Sequence, residues 1–300
     1  MYVILGATGH TGSVVADTLL AKNQKVRVVG RNKERLSRFV ARGAEAFEAD
    51  ATDPNALSRA FGRAKAAYAL LPPDMGSTDY RAHQDEITNA IVRAIETSGV
   101  THVVALSSFG ADKPEKTGPV AGLHVLEQRL AKIPKLNVLN VRAGYFMENT
   151  LPQVGIIKNF GMMAGPVSAD LRLPMIATRD IGAAAAEALL KLDFSGQQTK
   201  ELLGQRDITY LEAARIVGTA IGIPNLTYIQ MPPEQVIQGM TQMGMSKSMA
   251  ALIIEMADSL NNGHMRALEP RTAANTTPTS YEEFVKEVFV PAYKGQARSA

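Results

Sequence analysis

The sequence lacks several residue types whose absence excludes whole classes of protein. None of its 300 residues is cysteine or tryptophan, and aromatic residues make up only 6%. Without cysteine there can be no disulfide framework, thiolate zinc site, iron–sulfur cluster or cysteine nucleophile. The scarcity of aromatic residues disfavours recognition of bases by stacking, and the net charge of +3 is small and scattered, so we expect no nucleic-acid partner.

Long hydrophobic runs are also missing. No run approaches the roughly 18 residues that a membrane-spanning helix needs, and the richest stretch, residues 183–190, is interrupted by Glu187. The chain passes at once from the apolar residues 2–5 into a glycine turn, which leaves no room for a signal peptide. We therefore expect a cytoplasmic protein that makes no membrane contact.

Short apolar runs alternate with helical patterns in the first half of the chain. The runs occupy residues 2–5, 26–29, 66–71, 102–107 and 137–141, with a weaker one at 44–50. Runs this apolar are typical of strands that are covered on both faces. The clearest helix spans residues 79–97, where Ile87, Ile91 and Ile95 repeat every four residues. The alternation predicts an α/β fold with a doubly wound parallel sheet of Rossmann type.

Helical patterns dominate after about residue 149. They cover residues 179–191, 210–220, 233–240, 247–261 and 281–289. Two of these helices begin with a capping box, Thr209 with Glu212 and Ser280 with Glu283, whose side chains satisfy free amides of the first turn.

The change in pattern predicts two units without a flexible linker between them. We place a Rossmann-type domain at residues 1–150 and a smaller, mainly helical substrate-binding lobe at residues 151–300. Part of this lobe, at about residues 176–192, is expected to pack back on the first domain.

The strongest motif is Gly6-Ala7-Thr8-Gly9-His10-Thr11-Gly12, which follows the first strand directly and opens a helix. In this context Gly6 allows a tight turn, Gly9 lets the backbone approach a pyrophosphate, and Gly12 lets the helix pack close to the sheet. The helix N-terminus then offers free amides and a positive dipole end to phosphate. The alternative is a strand–helix turn with incidental glycines. The motif predicts a dinucleotide site in the first domain.

The end of the second strand indicates which dinucleotide binds. An NAD-selective site carries Asp or Glu there to bond the ribose 2′-hydroxyl, whereas this chain has Arg31, with Lys33 nearby. A guanidinium can bind a 2′-phosphate bidentately. We therefore predict NADP(H) in preference to NAD(H). The basic residues from Arg35 to Arg42 are interpreted as a solvated helix face.

The glycine motif and several other segments resemble the NmrA-like family of atypical short-chain dehydrogenases. The supporting segments are Val29-Gly30-Arg31-Asn32, Leu106-Ser107-Ser108, Arg142-x-Gly144-x-Phe146-Met147-Glu148-Asn149, Thr178-Arg179-Asp180-Ile181-Gly182 and Thr276-Thr277-Pro278-Thr279. The family includes NADP(H)-dependent reductases of quinones, azo compounds and triphenylmethane dyes. It also includes regulators that bind the dinucleotide and catalyse nothing.

The resemblance implies further cofactor contacts. Asp50 would lie beside the adenine, Leu70, Leu71 and Pro72 along the adenosine and pyrophosphate, Ser107 and Ser108 near the nicotinamide ribose, and Phe146 against the nicotinamide. The full predicted set is Gly6, Thr8, Gly9, His10, Thr11, Gly12, Arg31, Lys33, Asp50, Leu70, Leu71, Pro72, Ser107, Ser108 and Phe146. Structural alternatives remain: the two serines could simply end a strand, Asn149 could cap a helix near Thr150, and Asp180 could be a helix cap.

One departure from the wider superfamily bears on the reaction. Typical short-chain dehydrogenases use a Tyr-x-x-x-Lys pair, but no tyrosine here has lysine four residues on, and residues 122–127 read Gly-Leu-His-Val-Leu-Glu where the pair is expected. Ketone reduction needs an acid in the transition state, whereas a quinone or a cationic dye can accept hydride without one. His124 and Tyr145 are the candidate acids, and each could instead be structural.

The sequence thus supports two hypotheses. The first is an NADPH-dependent reductase of a conjugated acceptor, with a small apolar or aromatic substrate. The second is a non-catalytic NADP(H) sensor that acts through a protein partner. Five methionines (Met240, Met243, Met245, Met249 and Met256) either line a permissive pocket or form helix core. No metal site is expected, and the chain could be a monomer or a homodimer.

Overall fold

The computed structural model describes residues 1–296. The strands are β1 (Tyr2–Leu5), β2 (Val26–Gly30), β3 (Glu45–Glu48), β4 (Ala66–Ala69), β5 (His102–Ser108), β6 (Asn137–Ala143), β7 (Tyr145–Phe146), β8 (Met163–Gly165), β9 (Leu173–Ile176), β10 (Gln197–Leu202), β11 (Asp207–Ile208) and β12 (Tyr228–Gln230). The helices are α1 (His10–Ala21), α2 (Lys33–Val40), α3 (Pro54–Phe61), α4 (Tyr80–Ser98), α5 (Val120–Leu130), α6 (Gln153–Phe160), α7 (Thr178–Lys191), α8 (Tyr210–Ile221), α9 (Pro233–Gln242), α10 (Lys247–Asn261), α11 (Tyr281–Phe284) and α12 (Val290–Tyr293). A 3-10 turn, Met147–Thr150, precedes α6, and a π-helical turn, Val285–Phe289, joins α11 to α12.

Seven parallel strands form the central sheet, in the order β10-β6-β5-β4-β1-β2-β3. Every residue of β1 and β4 is buried, because helices cover both faces of the sheet. Apolar side chains of α3, α4 and α5 pack on one face, and those of α1, α2 and α7 on the other. The predicted α/β fold with a doubly wound Rossmann-type sheet is confirmed.

Helices α1 and α7 approach each other closely at one glycine. A Cβ atom on Gly182 would lie 2.7 Å from the carbonyl oxygen of Thr11 and 2.6 Å from Cβ of Val14. The predicted segment at about residues 176–192 therefore lies against the first helix of the chain.

The sheet also includes one strand that lies beyond residue 150. Strand β10 adds to β6 at the edge of the sheet, and its first four residues, 197–200, are exposed. Hydrophobic patterning does not mark such a strand, because its side chains are polar. The division of the chain at residue 150 stays a prediction.

Residues after position 150 supply most of a third hydrophobic cluster, to which Phe109, Val120 and Met147 also belong. The remaining strands form two small sheets, β11-β9-β7 and β12-β8. Each predicted capping box forms only its hydroxyl half: the Thr209 hydroxyl accepts a hydrogen bond from the Glu212 amide at 3.0 Å, and Ser280 does so from Glu283 at 3.1 Å. The carboxylates of Glu212 and Glu283 instead accept hydrogen bonds from Arg206 and Arg179. Within residues 1–296 no helix is long and apolar enough to cross a bilayer.

The two residues interpreted as alternative helix caps have other positions. Asn149 is exposed within the 3-10 turn, and α6 begins only after Pro152, so Asn149 caps no helix. Asp180 lies inside the first turn of α7, where its carboxylate accepts hydrogen bonds from the amide and the hydroxyl of Thr279 at 3.0 and 2.7 Å. It therefore fixes the segment that leads into α11 rather than the start of α7.

Candidate functional site

Glycines shape the turn between β1 and α1. Gly6 has a φ angle of +61°, in the left-handed region, and the Gly9 amide donates to the Gly6 carbonyl at 2.9 Å. A Cβ atom on Gly12 would lie 2.3 Å from that same carbonyl oxygen. Only glycine therefore fits at position 12 without moving the turn away from the helix.

The N-terminus of α1 is free to bind an anion. Its N-cap residue, Gly9, has no side chain, so no cap hydrogen bond is made there. The first amides of any helix lack intrahelical acceptors and carry the positive end of its dipole. The Thr11 side chain is buried, and its hydroxyl accepts a hydrogen bond from the buried Tyr68 hydroxyl at 2.9 Å.

A cavity of about 300 Å³ opens beside this turn, and we call it the glycine-turn cavity. It lies at the carboxyl ends of β1, β2, β3 and β4, where ligands of open α/β sheets bind. The cavity brings together five of the predicted residues: Gly6, Thr8, Arg31, Asp50 and Pro72.

Two guanidinium groups line one side of the glycine-turn cavity. Arg31 directly follows β2, and Arg35 lies one turn into α2, whose start is capped by Asn32. Within residues 1–296 neither arginine forms an ion pair, whereas Arg38 and Arg42 pair with Asp17 of α1. Arg35 was expected on a solvated face, but it lines the cavity although it is exposed. The wall of the cavity thus carries two guanidinium groups that can bind an anionic ligand.

Asp50 lies opposite these arginines in the loop after β3. Its Oδ1 atom accepts hydrogen bonds from the amide and hydroxyl of Thr52 at 2.9 and 2.8 Å. The Thr52 amide bond, with smaller contributions from the charges of Arg31 and His83, holds the pKa of Asp50 below its usual range. His83, on the first turn of α4, also lines the cavity, and the sequence analysis did not single it out.

Several predicted cofactor residues lie outside the lining of this cavity. Leu70 and Leu71 are buried, and Leu70 lies directly behind Gly6, where a Cβ atom would be 3.0 Å from its Cδ2. Lys33 opens α2 as an exposed residue. Gly9 is the N-cap of α1, and His10 and Gly12 lie in the first turn of that helix. The roles predicted for these residues stay predictions.

Ser107 at the end of β5 takes part in a buried polar network. Its hydroxyl donates to Glu127 Oε1 of α5 at 2.5 Å, and Arg142 of β6 donates through Nε to the same oxygen at 3.0 Å and through Nη2 to Oε2 at 2.6 Å. Ser107 and Glu127 are only 2% and 5% exposed, so this hydroxyl is held inside the fold. The neighbouring Ser108 is half-buried and makes only a long contact, at 3.5 Å, with the Ala143 carbonyl oxygen.

Sequence reasoning missed this network. Glu127 lies in the segment where the Tyr-x-x-x-Lys pair is expected, and Arg142 begins one of the family-like motifs. Their pairing follows from the register of the sheet, in which Ser107 lies next to Arg142 on the adjacent strand. The hydrogen bonds and the charge of the Glu127 carboxylate raise the pKa of Arg142 above its usual value.

The two candidate acids have different surroundings. His124 is half-buried on α5, with Nδ1 2.8 Å from the carbonyl oxygen of Ala111. This contact fixes the proton on Nδ1 and leaves Nε2 without a hydrogen bond within the described chain. The imidazole is therefore held in one orientation.

Tyr145 belongs to a cluster of tyrosines in the second half. Its hydroxyl lies 3.0 Å from that of Tyr210, whose ring stacks on Tyr228 with centroids 4.5 Å apart. Burial raises the pKa of Tyr145 above its ordinary value, which makes it a weaker acid at neutral pH. This environment favours a packing role over proton donation.

Phe146 and Glu148 follow Tyr145 at the start of the second half. Phe146 is half-buried and packs against the cluster formed with α1 and α7. Glu148 accepts hydrogen bonds from the amide of Thr178 at 3.1 Å and from its hydroxyl at 2.6 Å, so it caps the start of α7. Burial raises the pKa of Glu148 above its usual value. In the sequence, Glu148 stands out only as one position of the family-like segment from Arg142 to Asn149.

The five methionines separate into two groups. Met249 is buried, and Met245 and Met256 pack against hydrophobic clusters. Met240 and Met243 instead line a second, larger groove. Across residues 1–296 no three histidine, aspartate or glutamate side chains come together in a way that could hold a metal ion.

Comparison with known proteins shows which family the chain matches. The model of the NmrA-like family matches residues 2–285. The NAD(P)H azoreductase of Xenophilus azovorans is 28% identical over 260 residues, which cover 85% of this chain and 86% of the azoreductase.

Two solved structures share the fold over nearly the whole chain. The NADPH-dependent quinone oxidoreductase of Escherichia coli, solved in complex with NADPH, has a TM-score of 0.75 at 20% identity and covers 95% of this chain and 98% of its own. The triphenylmethane reductase of Citrobacter sp., solved with NADP(H), has a TM-score of 0.78 at 18% identity, with coverage of 96% and 99%.

Proposed function

Since the chain belongs to the NmrA-like family, we propose that it is an NADPH-dependent reductase that transfers hydride to a conjugated acceptor such as a quinone, an azo compound or a triphenylmethane dye. The observation that carries this proposal is the glycine turn. It leads into a helix whose N-cap glycine has no capping side chain, and it opens onto a cavity lined by two arginines that form no ion pair within residues 1–296. The azoreductase relative and the two structural neighbours are each described as acting with such a nucleotide.

The residues present fit a bound dinucleotide phosphate. A Cβ atom at position 12 would collide with the Gly6 carbonyl, so the turn keeps the backbone open to a pyrophosphate. The amides at the start of α1 would hold its charge, and Asp50 would lie at the adenosine. When bound, NADPH supplies the hydride for the reaction.

The preference for NADP(H) rests on charge. Arg31 and Arg35 line the glycine-turn cavity and have no carboxylate partner within the described residues, so they are free to pair with a 2′-phosphate. The carboxylate that lies there, Asp50, is held by Thr52 and follows β3 rather than β2. NAD(H) would leave both guanidinium groups without a partner.

The protein's own contribution to the chemistry is positioning. The chain has no Tyr-x-x-x-Lys pair, and the corresponding part of α5 presents Glu127 bound to Arg142 and Ser107. Both oxygens of the Glu127 carboxylate are thus occupied as hydrogen-bond acceptors inside the fold. A conjugated acceptor that delocalises the incoming charge needs only orientation against the nucleotide. His124 remains the candidate for proton delivery: its Nδ1–H is held by the Ala111 carbonyl oxygen, so only a doubly protonated ring could give up a proton, from Nε2.

The test is direct. Purified protein is mixed with NADPH or NADH and a panel of quinones, azo compounds and triphenylmethane dyes, and oxidation of the nucleotide is followed by absorbance. We expect turnover with a conjugated acceptor and a lower KM for NADPH than for NADH. Tight binding of NADPH without turnover on any acceptor would favour the non-catalytic sensor instead. Sedimentation of the same preparation distinguishes a monomer from a homodimer.

A further inference from the structure

A second groove, of about 780 Å³, lies between α6 and α9, and we call it the methionine groove. Ile156 and Phe160 of α6 line it from one side, and Val236 and Met240 of α9 from the other, together with Met243. It shares no lining residue with the glycine-turn cavity. Its volume lies within the range of small-molecule sites.

The apolar side chains of α9 are only partly covered by the rest of the protein. None of the ten residues of α9 is buried, although Val236, Ile237 and Met240 place apolar side chains on the helix. At the groove, Phe160 and Met243 are 70% and 71% exposed. Large apolar side chains that gather at the surface around a concavity are typical of an interaction site.

The groove is also free of charge. Its polar lining residues are Asn159, Gln235, Gln238 and Gln242, and no acidic or basic residue lines it. The glycine-turn cavity, by contrast, has Arg31, Arg35 and Asp50 in its lining. Burying an ionised group beside apolar side chains without a partner is costly, whereas neutral amides can bond a carbonyl or hydroxyl. The groove therefore fits an uncharged apolar molecule with few polar atoms.

Both walls of the groove are tied to segments of the proposed reductase site. Helix α6 begins three residues after the turn Met147–Thr150, which follows Phe146. On the other side, the loop after α9 is fixed where the Ser246 amide donates to the Met75 carbonyl at 2.8 Å, shortly after Pro72 of the glycine-turn cavity. Short stretches of chain therefore connect both walls of the groove to residues of the proposed reductase site.

We propose that the methionine groove holds an uncharged apolar substituent of the acceptor, such as a prenyl or aryl group on a quinone ring. This inference rests on the proposed reductase function and narrows its substrate class. Acceptors with such a substituent are favoured, and sulfonated acceptors are rejected because the groove offers no cation to pair with them. Methionine side chains adapt their shape, so the groove tolerates substituents of different form.

The test compares three acceptors that share one ring system: 1,4-naphthoquinone, its 2-prenyl derivative and its 2-sulfonate. With NADPH, we expect a KM about tenfold lower for the prenyl compound than for the bare ring, and about tenfold higher for the sulfonate. The variant Gly239→Leu fills the groove, because a Cβ at Gly239 meets no atom within 4 Å. It should abolish the advantage of the prenyl compound and leave the KM values for the bare ring and NADPH unchanged.

The matched control is Ala183→Leu, which adds the same side chain at an exposed position of α7 away from the groove. It should keep the tenfold preference. Equal KM values for all three acceptors, or a preference that survives in Gly239→Leu, would overturn the inference while the reductase function stands.

Binding without turnover separates this inference from the proposed function. Equilibrium dialysis with 2-prenylnaphthalene, which cannot accept hydride, should show binding that Gly239→Leu weakens about tenfold. If no acceptor is reduced but this binding persists, the reductase proposal fails and the groove is still a site for an uncharged apolar ligand. If Gly239→Leu instead converts a dimer to a monomer in sedimentation, the groove is occupied by a second copy of the chain and the inference fails.

Discussion

The glycine-turn cavity and the methionine groove lie in one chain but are built in opposite ways. The glycine-turn cavity is formed by backbone at the carboxyl edge of the sheet, where a side chain at Gly12 would collide with the turn. The charged side chains of Arg31, Arg35 and Asp50 line it. The second is formed by flexible, uncharged side chains on two helices, one of which has no buried residue. A fixed ligand such as a dinucleotide suits the rigid site, and variable acceptors suit the adaptable one.

The largest loss of folding stability is expected when the ion pair between Glu127 and Arg142 is broken. This pair lies near the carboxyl ends of β5 and β6. Glu127→Ala leaves the Arg142 guanidinium with no carboxylate partner and removes the acceptor for the Ser107 hydroxyl. Removing one partner of a buried pair destabilises a protein by about 3–5 kcal/mol. Urea denaturation should show that decrease in the free energy of unfolding.

The control for this variant is Asp85→Ala. Asp85 also pairs with an arginine, Arg129, but its side chain is 49% exposed. Loss of such a surface pair costs about 0–1 kcal/mol. An equal decrease in the free energy of unfolding for the two variants would contradict the view that buried polar contacts stabilise the carboxyl ends of β5 and β6.

The largest expected effect on nucleotide binding comes from Gly12→Ala. The added Cβ would lie 2.3 Å from the Gly6 carbonyl oxygen, so α1 must move away from the turn. We expect about 100-fold weaker binding of NADPH, which corresponds to about 2.7 kcal/mol. Overpacking should also cost about 1–3 kcal/mol of folding stability. Fluorescence titration with NADPH and thermal unfolding measure the two effects.

Gly155→Ala provides the matched change in the methionine groove. A Cβ at Gly155 meets nothing within 4 Å, and the residue lies inside α6. The variant should bind NADPH normally and gain roughly 0.5–1 kcal/mol of stability, because alanine is the better helix former. If Gly12→Ala also bound NADPH normally, the claim that backbone geometry defines the first site would be wrong.

A smaller, charge-specific effect is expected from the arginines. Arg31→Ala should raise the KM for NADPH about tenfold and leave the KM for NADH unchanged, because only the 2′-phosphate is affected. Arg35→Ala should act in the same direction. Arg38→Ala is the control, since Arg38 faces Asp17 on the solvated side of α2. An unchanged preference for NADPH in Arg31→Ala would remove this residue from the site.

The glycine-turn cavity and the methionine groove also differ in how well the sequence predicts them. The glycine turn, the position of Arg31 and strands β1 to β6 of the central sheet could be predicted because each depends on neighbouring residues: a missing side chain, a strand end or an apolar run. Glu127 and Arg142 could not be paired, since their contact depends on the register of β5 and β6. Strand β10 escaped because its first four side chains are exposed and polar.

The methionine groove was only half predictable for a related reason. The five methionines stand out in the sequence. However, hydrophobic periodicity alone does not show which face of a helix is packed against other elements. Met249 is buried in α10, whereas Met240 of α9 lines the groove. Their different environments depend on which other elements pack against each helix, and this is fixed by tertiary structure.

This difference between the two methionines gives the smallest expected effect and tests the comparison most finely. Met240→Ala should lower the free energy of unfolding by less than about 1 kcal/mol, because the side chain is partly exposed and leaves no closed cavity. Met249→Ala, the same substitution at a side chain that is 5% exposed, should cost about 2–5 kcal/mol. Chemical denaturation of both variants decides the matter. A large loss for Met240→Ala would mean that α9 is packed against the protein in solution, and the groove would then be closed to an acceptor.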